Sequence, residues 1–574
     1  MAKRTNSSGT SSSDSQKKSK TFVNEYDGYS PAPNDTVPIE DINKITEDEF
    51  YSQYIQPRKP VIIEGSLPGF PTKELQLPDI EETLNSDDGL LLVERINQGG
   101  FGSSQKRIKM NFKEFMKKLK EDGNEYYLTT QYVEDDPDRD LNVGSSDEEE
   151  EEEEEGDLFG APDGASFTPP GSPEGRSDEE NDGEKPILEG EFSDADSIDF
   201  NDIHDDFDEL EVDAEDLDRS EDEIAGPMEE EEDDNDTIDK SLPGDPLTIE
   251  EATTRFEELI QKPLSNAYLN NNLPLKPTLF TKLTTQQINI WIGSTKSKDG
   301  KTPSLDLSNI EIDQSKQDLG LGRKMVGEGI SSGLHHDHAD NLYVPLMGHK
   351  RFTIFSPKDT SNLYTVGNVN KVYPSGIIDY KNDSQAPFWR ELRGDSAIKT
   401  EVNKWKLDNE DLELREEERN QLIDEVESEE DLLEENEAKF KNCMLDPPSF
   451  SKIPASLLHL EDIPESSKST KEQLQSALES KYPKLMNCDR LTVDLKPGQL
   501  FFLPAGWFHE VTSFGDDQDD NHIHIALNYW FAPPDVKHPS TKKVYNDEYW
   551  VQDFERTLKS CEYLKNKLNS IGVE

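Results

Sequence analysis

The 574-residue chain has few cysteines, and the ones it has are scattered. Cys443, Cys488 and Cys561 are the only three, and no two of them form a Cys-x-x-Cys pair. This scarcity argues against a disulfide framework and against a thiolate zinc site, and it suits a reducing compartment. We therefore expect the protein to act in the cytoplasm, the nucleus or both.

Long apolar runs are also missing, and hydrophobic residues make up only 32% of the chain. No stretch reaches the length of about eighteen apolar residues that a membrane-spanning helix needs, and no secretory h-region is evident. We expect no contact with a membrane. Residues 1–21 are rich in Ser, Thr and Lys, a composition typical of a disordered basic tail.

Basic residues are outnumbered two to one by acidic ones, and the excess negative charge is concentrated in one segment. Residues 134–245 contain 49 acidic and 5 basic side chains, which account for −44 of the chain's net charge of −64. Such a segment buries too little apolar surface to offset the entropy of ordering, so we predict a disordered acidic insertion. Its charge would attract a basic protein partner and makes direct nucleic-acid binding unexpected.

On both sides of this insertion the sequence is typical of a mainly β protein. Short apolar or β-branched runs bounded by turn residues predict strands. Many short strands with few long helices favour a jelly roll or a barrel. The predicted strands lie in KPVIIEG (59–65), EYYLTTQYV (125–133), INIWIG (288–293), DNLYVPLMG (340–348), KRFTIF (350–355), LTVDLKPGQLFFLPAGWFHEV (491–511) and IHIALNYWF (523–531).

Helical spacing is confined to a few segments. Apolar residues recur at helical intervals in Met110–Glu121, and a highly charged helical insertion is predicted at about 395–442. Residues 545–574 should form a C-terminal helix, whose apolar stripe would serve either core packing or a homodimer. The folded parts, residues 22–133 and 246–544, are interpreted as two pieces of one domain.

Four of the ten histidines occur in a single stretch, SSGLHHDHADNLYVPLMGHKRF (331–352). In an extended chain, alternate residues share a face, so His335 and Asp337 should project together. His336 and His338 would then project the opposite way, as supporting or surface residues. One imidazole and one carboxylate supply two corners of a metal site.

The candidate third ligand is His509, which follows a Pro-Ala-Gly bend in LPAGWFHEV. Two histidines and one carboxylate can hold non-haem iron(II) with positions left open, and zinc accepts the same ligands. Lys350, fifteen residues after His335, could supply a positive charge for the distal carboxylate of a 2-oxoacid. Asn341 and Asn528, on flanking strands, offer amide donors. His522 and His524 are assigned no role.

The segments LHHDHADNLY, GHKRFTIFSP, PGQLFFLPAGWFHEV and ALNYWF together resemble the JmjC (Jumonji C) family of iron(II)- and 2-oxoglutarate-dependent oxygenases. Within that family the chain is most similar to the small JmjC-only hydroxylases. The resemblance covers residues 22–133 and 247–544. It implies a mainly β, cupin-like fold, a double-stranded β-helix with surrounding helices, into which the acidic insertion is placed.

The resemblance also implies roles for particular residues. Iron(II) would be bound by His335, Asp337 and His509, and oxygen would be the second co-substrate. Since Tyr127 precedes the acidic insertion, that insertion would interrupt the catalytic domain. The implied contacts with 2-oxoglutarate are Lys350, Tyr127, Ser332, Asn341 and Asn528.

The function implied by the resemblance is hydroxylation of a lysine side chain in a protein, with a translation-associated GTPase as a candidate substrate. Demethylation of methyl-lysine is a second interpretation, although the chain lacks a cysteine-rich reader module. An interpretation of another class is a catalytically weak protein that binds basic partners through its acidic insertion. Loss of partner binding, with turnover retained, after deletion of residues 134–245 would identify the insertion as a docking device.

Overall fold

The computed structural model describes the chain between Phe22 and Ile571, with gaps. The predicted basic tail (1–21) and the predicted acidic insertion (134–245) lie outside the described residues. The described ranges are 22–85, 89–96, 100–102, 107–131, 248–271, 273–296, 304–409, 412–440, 446–536 and 543–571.

Strands make up the centre of the described chain. They are β1 (Val23–Asn24), β2 (Ile39–Asp41), β3 (Val61–Glu64), β4 (Leu90–Arg95), β5 (Arg107–Asn111), β6 (Tyr126–Leu128), β7 (Thr285–Ser294), β8 (Ile330–Ser331), β9 (Asp340–Met347), β10 (His349–Phe355), β11 (Val369–Val372), β12 (Ile378–Tyr380), β13 (Arg490–Leu495), β14 (Gln499–Leu503), β15 (Phe508–Phe514) and β16 (Ile523–Phe531).

Helices surround these strands. They are α1 (Glu47–Phe50), α2 (Ile80–Thr83), α3 (Phe112–Asp122), α4 (Ile249–Leu259), α5 (Leu264–Asn271), α6 (Lys399–Asp408), α7 (Glu416–Phe440), α8 (Lys468–Lys481) and α9 (Tyr549–Ile571). The predicted helix at Met110 begins two residues later in the structure. Met110 and Asn111 end β5, and the Asn111 side chain then caps α3 by accepting a hydrogen bond from the Glu114 amide at 2.8 Å.

The strands form two large sheets and one small sheet. The first large sheet has nine strands in the order β2-β3-β14-β9-β16-β7-β6-β4-β5, and the second has four in the order β13-β10-β15-β8. Strands β1, β11 and β12 form the small sheet. The central pairs of both large sheets are antiparallel. This is the jelly-roll arrangement that the many short strands predicted, and the fold class is confirmed.

Side chains of the two large sheets pack together in one apolar cluster. In β14, Phe501 points into this inner cluster, whereas Leu500 and Phe502 point to the outer face. This alternation follows from the two-residue period of a strand. The strand residues of the inner cluster are Ile62, Tyr343, Phe352, Ile354, Leu491, Val493, Leu495, Phe501, Leu503, Val511 and Ala526.

The outer face of the nine-stranded sheet is covered by helices α3, α4, α5 and α9. In β16 the odd-numbered residues Ile523–Phe531 are apolar and join this outer cluster. The even-numbered positions point inward and include the polar residues His524 and Asn528. A sheet buried on both faces explains why IHIALNYWF contains so few charged residues.

The chain before the acidic insertion and the chain after it share this sheet. Strand β6 pairs with β7, which brings Tyr127 opposite Gly293. It also pairs with β4 on its other edge. Residues 107–131 and 285–294 therefore belong to one folded unit, although the acidic segment separates them in sequence.

The charged region after residue 395 contains helices α6 and α7. Arg390, in the preceding loop, makes ion pairs with Glu401 of α6 and Glu429 of α7. Near the end of α7, the Asn436 amide donates hydrogen bonds to Asn382 at 2.9 Å and to the Pro387 carbonyl at 2.7 Å. These contacts hold the highly charged helix against the domain.

The C-terminal helix α9 uses its apolar stripe in the core. Phe554 and Cys561 are buried in the outer cluster, and α9 packs along α4. Core packing therefore accounts for this stripe, and a homodimer stays a prediction. Among the described helices, none combines the length and the apolar composition needed to cross a bilayer.

Candidate metal centre and co-substrate pocket

The segment with His335 and Asp337 lies between β8 and β9, beside the start of β15. The amide of His335 donates to the carbonyl of His509 at 3.0 Å, and the amide of His509 donates back at 2.6 Å. The Gly506 amide donates to the Asp337 carbonyl at 2.8 Å. These backbone bonds place the two histidines opposite each other, although 174 residues separate them in the sequence.

Potential ligand atoms of His335, Asp337 and His509 all lie within 4.8 Å of one another. The Asp337 carboxylate is 3.9 Å from Nε2 of His335 and 3.6 Å from Nε2 of His509. The two imidazole rings have centroids 4.3 Å apart. The three side chains thus converge on one small volume, as a facial metal triad requires.

Backbone carbonyls determine which nitrogen of each histidine is free. Nδ1 of His335 lies 3.1 Å from the Gly333 carbonyl, and Nδ1 of His509 lies 3.0 Å from the Trp507 carbonyl. A carbonyl only accepts hydrogen bonds, so Nδ1 must carry the proton in each neutral ring. Nε2 is then an unprotonated donor atom, suited to a metal.

Burial adjusts the charge states of this group. It lowers the pKa of His335 well below its ordinary value, and the neighbouring His509 lowers it further. Burial also raises the pKa of Asp337, against the opposing effect of His509. A neutral His335 imidazole beside a buried carboxylate fits a bound divalent cation, which would compensate the buried negative charge.

His336 and His338 point away from the candidate ligands, as the alternation predicted. Nε2 of His336 lies 2.6 Å from the Tyr380 hydroxyl, and Nε2 of His338 lies 3.0 Å from the Ile378 carbonyl. Their exposed fractions are only 1% and 3%, so the surface alternative for them is wrong. Both rings instead attach the segment of the candidate metal ligands to the strand β12.

A buried ion pair holds the bend that precedes His509. Arg58 donates to the Asp340 carboxylate through both terminal nitrogens, one of them at 2.8 Å. The Ala505 amide donates to the same carboxylate, also at 2.8 Å. Gly506 has a φ of +76°, and a Cβ there would lie 1.8 Å from the Gly376 carbonyl oxygen. The Pro-Ala-Gly bend therefore needs glycine at position 506.

Lys350 enters from β10 and is only 2% exposed. Its ammonium donates to the Ser513 hydroxyl at 2.6 Å and to the Tyr127 hydroxyl at 3.1 Å. Within the described part of the chain, no carboxylate lies within ion-pair distance of this ammonium. Burial without an anion lowers the pKa of Lys350 to about 7.

Gly293 lies between two rings close to this lysine. It pairs with Tyr127 on one side and with His524 on the other, so the three residues form a row across the sheet. A Cβ at Gly293 would lie 2.5 Å from the Tyr127 ring and 2.8 Å from Nε2 of His524. The Lys350 ammonium and the Tyr127 and Ser513 hydroxyls lie together, with no carboxylate beside them among the described residues. Such a group fits a carboxylate ligand, for example the far end of 2-oxoglutarate.

The serine predicted to contact 2-oxoglutarate, Ser332, is not the serine that lies beside Lys350. The Ser332 hydroxyl donates to the Gly333 carbonyl at 2.8 Å and accepts from the Val511 amide at 3.1 Å, so backbone groups already engage it. Ser513, which the sequence analysis missed, is the serine beside Lys350. It lies four residues after His509 on the same strand and so shares its face, but only the register of β10 with β15 brings it to Lys350.

The two asparagines lie on the inner face of the nine-stranded sheet. Nδ2 of Asn341 is 3.5 Å from the Asp337 carboxylate, and its Oδ1 is buried without a hydrogen-bond partner among the described residues. Oδ1 of Asn528 accepts from the Trp291 indole at 2.9 Å. Asn341 is therefore next to the metal triad, and its role and that of Asn528 stay predictions.

Comparison with known proteins agrees with this geometry. A family model of the cupin-like domain matches residues 201–537, more than half of the chain. The chain belongs to the cupin-like domain family. It is also 26% identical, over 565 residues, to "JmjC domain-containing protein 4" of Schizosaccharomyces pombe (strain 972 / ATCC 24843), an alignment that covers 89% of this chain and 88% of that relative.

The predicted JmjC resemblance is thereby confirmed. JmjC members of the cupin-like family are usually 2-oxoglutarate-dependent oxygenases, so the family supports a general function of that type for this chain. Iron(II) and 2-oxoglutarate are the usual requirements of such proteins, and the triad His335, Asp337 and His509 has the donor set for the metal.

Proposed function

We propose that this protein is an iron(II)- and 2-oxoglutarate-dependent oxygenase that hydroxylates a lysine side chain in another protein. The observation that carries the proposal is the convergence of His335, Asp337 and His509 in a barrel whose interior also contains the buried Lys350. Among the described residues, this lysine has no carboxylate partner. A metal triad and a carboxylate-binding cation are the two groups this chemistry needs from the protein.

The side chains form two groups, one at the metal and one at the far carboxylate of the co-substrate. His335, Asp337 and His509 would bind iron(II), which when bound supplies the redox chemistry that couples oxygen and 2-oxoglutarate to C–H oxidation. Lys350 would hold the far carboxylate together with the Tyr127 hydroxyl, which already contacts it at 3.1 Å. This orientation would turn the 2-oxoacid end toward the metal.

Asn341 would contact the co-substrate between the metal ligands and Lys350. Its amide lies 3.5 Å from the Asp337 carboxylate, on the strand that begins immediately after the ligand segment. From there the amide can hydrogen-bond to the 2-oxoacid end of the co-substrate, with Asn528 on the neighbouring strand. The overall reaction would convert 2-oxoglutarate, oxygen and the substrate C–H into succinate, carbon dioxide and an alcohol.

A basic protein segment is the substrate class that the chain's charge favours. The net charge of −64 would raise the encounter rate with a lysine-rich segment, such as one on a translation-associated GTPase. The acidic residues 134–245 contribute most of this attraction, and we propose that they help to capture the substrate.

The test is turnover with product identification. Full-length protein is loaded with iron(II) under argon, mixed with 2-oxoglutarate and lysine-rich peptides, and then exposed to oxygen. Succinate is quantified, and the peptides are analysed by mass spectrometry. We expect one added oxygen on lysine with wild type and with His522→Asn, a control at an exposed loop histidine. We expect neither product with His335→Ala or Lys350→Met.

The possible products distinguish the hypotheses. Loss of a methyl group with release of formaldehyde from a methylated peptide would contradict hydroxylation and support demethylation. If the iron-loaded wild type fails to bind 2-oxoglutarate, the oxygenase proposal is wrong. Binding of basic proteins by that same inactive protein, lost on deletion of residues 134–245, would then support a binding function.

A further inference from the structure

His524 is a buried histidine for which the proposed metal site has no use. It lies in the second position of β16, and its side chain has an exposed fraction of 0%. Neither ring nitrogen has a hydrogen-bond partner among the described residues. A buried polar group without a partner lowers stability, so its presence calls for a ligand that completes it.

The surroundings of His524 identify where that ligand would lie. Its ring centroid is 5.4 Å from that of Tyr127, and the two rings stand on either side of Gly293. Nε2 is the His524 atom nearest to Gly293, because a Cβ there would come within 2.8 Å of it. The imidazole and the Tyr127 ring therefore pack against the same glycine.

Lys350 reaches the Tyr127 side chain from the opposite, four-stranded sheet. Its ammonium contacts the Tyr127 hydroxyl, and its charge is one of the causes that lower the pKa of His524, after burial. His524 is therefore a neutral imidazole, with one N–H whichever tautomer is present. The Lys350 ammonium and the His524 N–H both lie near the Tyr127 side chain, with no ion-pair partner for the ammonium among the described residues. A cation and a neutral donor so placed match a carboxylate.

On this geometry we infer that His524 is a further co-substrate-binding residue, whose N–H donates to the far carboxylate of 2-oxoglutarate beside Lys350, Tyr127 and Ser513. The inference rests on the proposed function and extends it to a residue in β16. Gly293 is needed beside this residue, because any side chain there would collide with the Tyr127 and His524 rings.

The number of donors agrees with the number of acceptor sites. A carboxylate offers about four lone-pair sites. Lys350 uses two of its three N–H groups on Tyr127 and Ser513 and keeps one. The two hydroxyls accept from Lys350 and carry hydrogens of their own. With the His524 N–H, up to four donors are near the proposed carboxylate position.

The experiment measures binding rather than turnover. Isothermal titration calorimetry under argon, on the full chain loaded with iron(II), compares 2-oxoglutarate with 2-oxopentanoate, which has a methyl group in place of the far carboxylate. For His524→Leu we expect the affinity for 2-oxoglutarate to fall about ten- to a hundredfold, the usual effect of losing a hydrogen bond to a charged group. Its affinity for 2-oxopentanoate should match that of wild type.

Two further variants control the comparison. His524→Gln keeps an N–H donor and should recover part of the affinity, whereas His522→Asn, at an exposed loop position two residues away, should bind like wild type. Without ligand, His524→Leu should unfold at the same or a higher temperature, because it removes unpaired buried nitrogens.

Three results would contradict the inference about His524. Wild-type affinity for 2-oxoglutarate in His524→Leu would overturn the inference while leaving the proposed function intact. Equal losses for both 2-oxoacids, or a lower unfolding temperature, would show that the ring only packs the core. Failure of the wild type to bind 2-oxoglutarate would overturn the inference and the proposed function together.

Discussion

Replacing Lys350 by methionine should make the protein more stable and at the same time abolish its binding of 2-oxoglutarate. The pKa of this buried lysine falls from its ordinary value of 10.5 to about 7. At about 1.4 kcal/mol for each pH unit, the buried lysine costs about 5 kcal/mol of folding free energy near neutral pH. Methionine has a similar length and no charge.

Part of this gain is offset by the groups that the lysine leaves behind. The hydroxyls of Ser513 and Tyr127 both lose the ammonium as a hydrogen-bond donor. Losing these two hydrogen bonds costs about 1 to 3 kcal/mol. We therefore expect Lys350→Met to raise the free energy of unfolding by about 2 kcal/mol or more near neutral pH.

The stability gained by Lys350→Met should increase as the pH falls. Between about pH 10.5 and about pH 7 the unfolded lysine binds a proton that the folded lysine does not, so wild-type stability falls as the pH is lowered. The advantage of Lys350→Met should therefore be small near pH 10, grow as the pH falls, and become constant below about pH 7.

Urea denaturation of the metal-free, full-length proteins at several pH values measures this difference. Calorimetry in two buffers of different ionisation enthalpy adds a second measurement, because 2-oxoglutarate should bring a proton to wild-type Lys350 above about pH 7. A variant less stable than wild type near neutral pH, or one that binds 2-oxoglutarate normally, would refute the reasoning.

Three other substitutions test the support of the site. Gly506→Ala should lower the free energy of unfolding by about 3 kcal/mol or more, because its Cβ would meet the Gly376 carbonyl at 1.8 Å; a loss below about 1 kcal/mol in urea denaturation would contradict this. Arg58→Met should cost about 3 to 5 kcal/mol by leaving Asp340 buried and unpaired, and adding Asp340→Leu should recover part of the loss in the same assay. Asp337→Asn should weaken iron(II) or manganese(II) binding at least about a hundredfold in an anaerobic metal titration, and unchanged affinity would exclude Asp337 as a ligand.

Much of the candidate site could be predicted because it depends on short-range periodicity. The pair His335 and Asp337 is two residues apart in an extended segment, so both side chains must share a face wherever that segment lies. His509 follows a bend that proline and glycine make necessary, and the structure places it on the next strand, β15. These are local properties of the backbone.

The residues around Lys350 could not be predicted in the same way. Ser513 faces Lys350 because β10 and β15 pair in one particular register. His524, Gly293 and Tyr127 form a row only because β16, β7 and β6 are neighbours in the nine-stranded sheet. Sheet order and register depend on contacts between residues far apart in the chain, and no local pattern contains them.

The sequence by itself determined the local features of this protein: its strands, its acidic segment, and the spacing that makes His335 and Asp337 a pair. Tertiary structure alone decided which distant side chains complete the site and what their charge states are. The physical reason is that a residue such as Lys350 or His524 takes its properties from burial and from neighbours, and folding determines both.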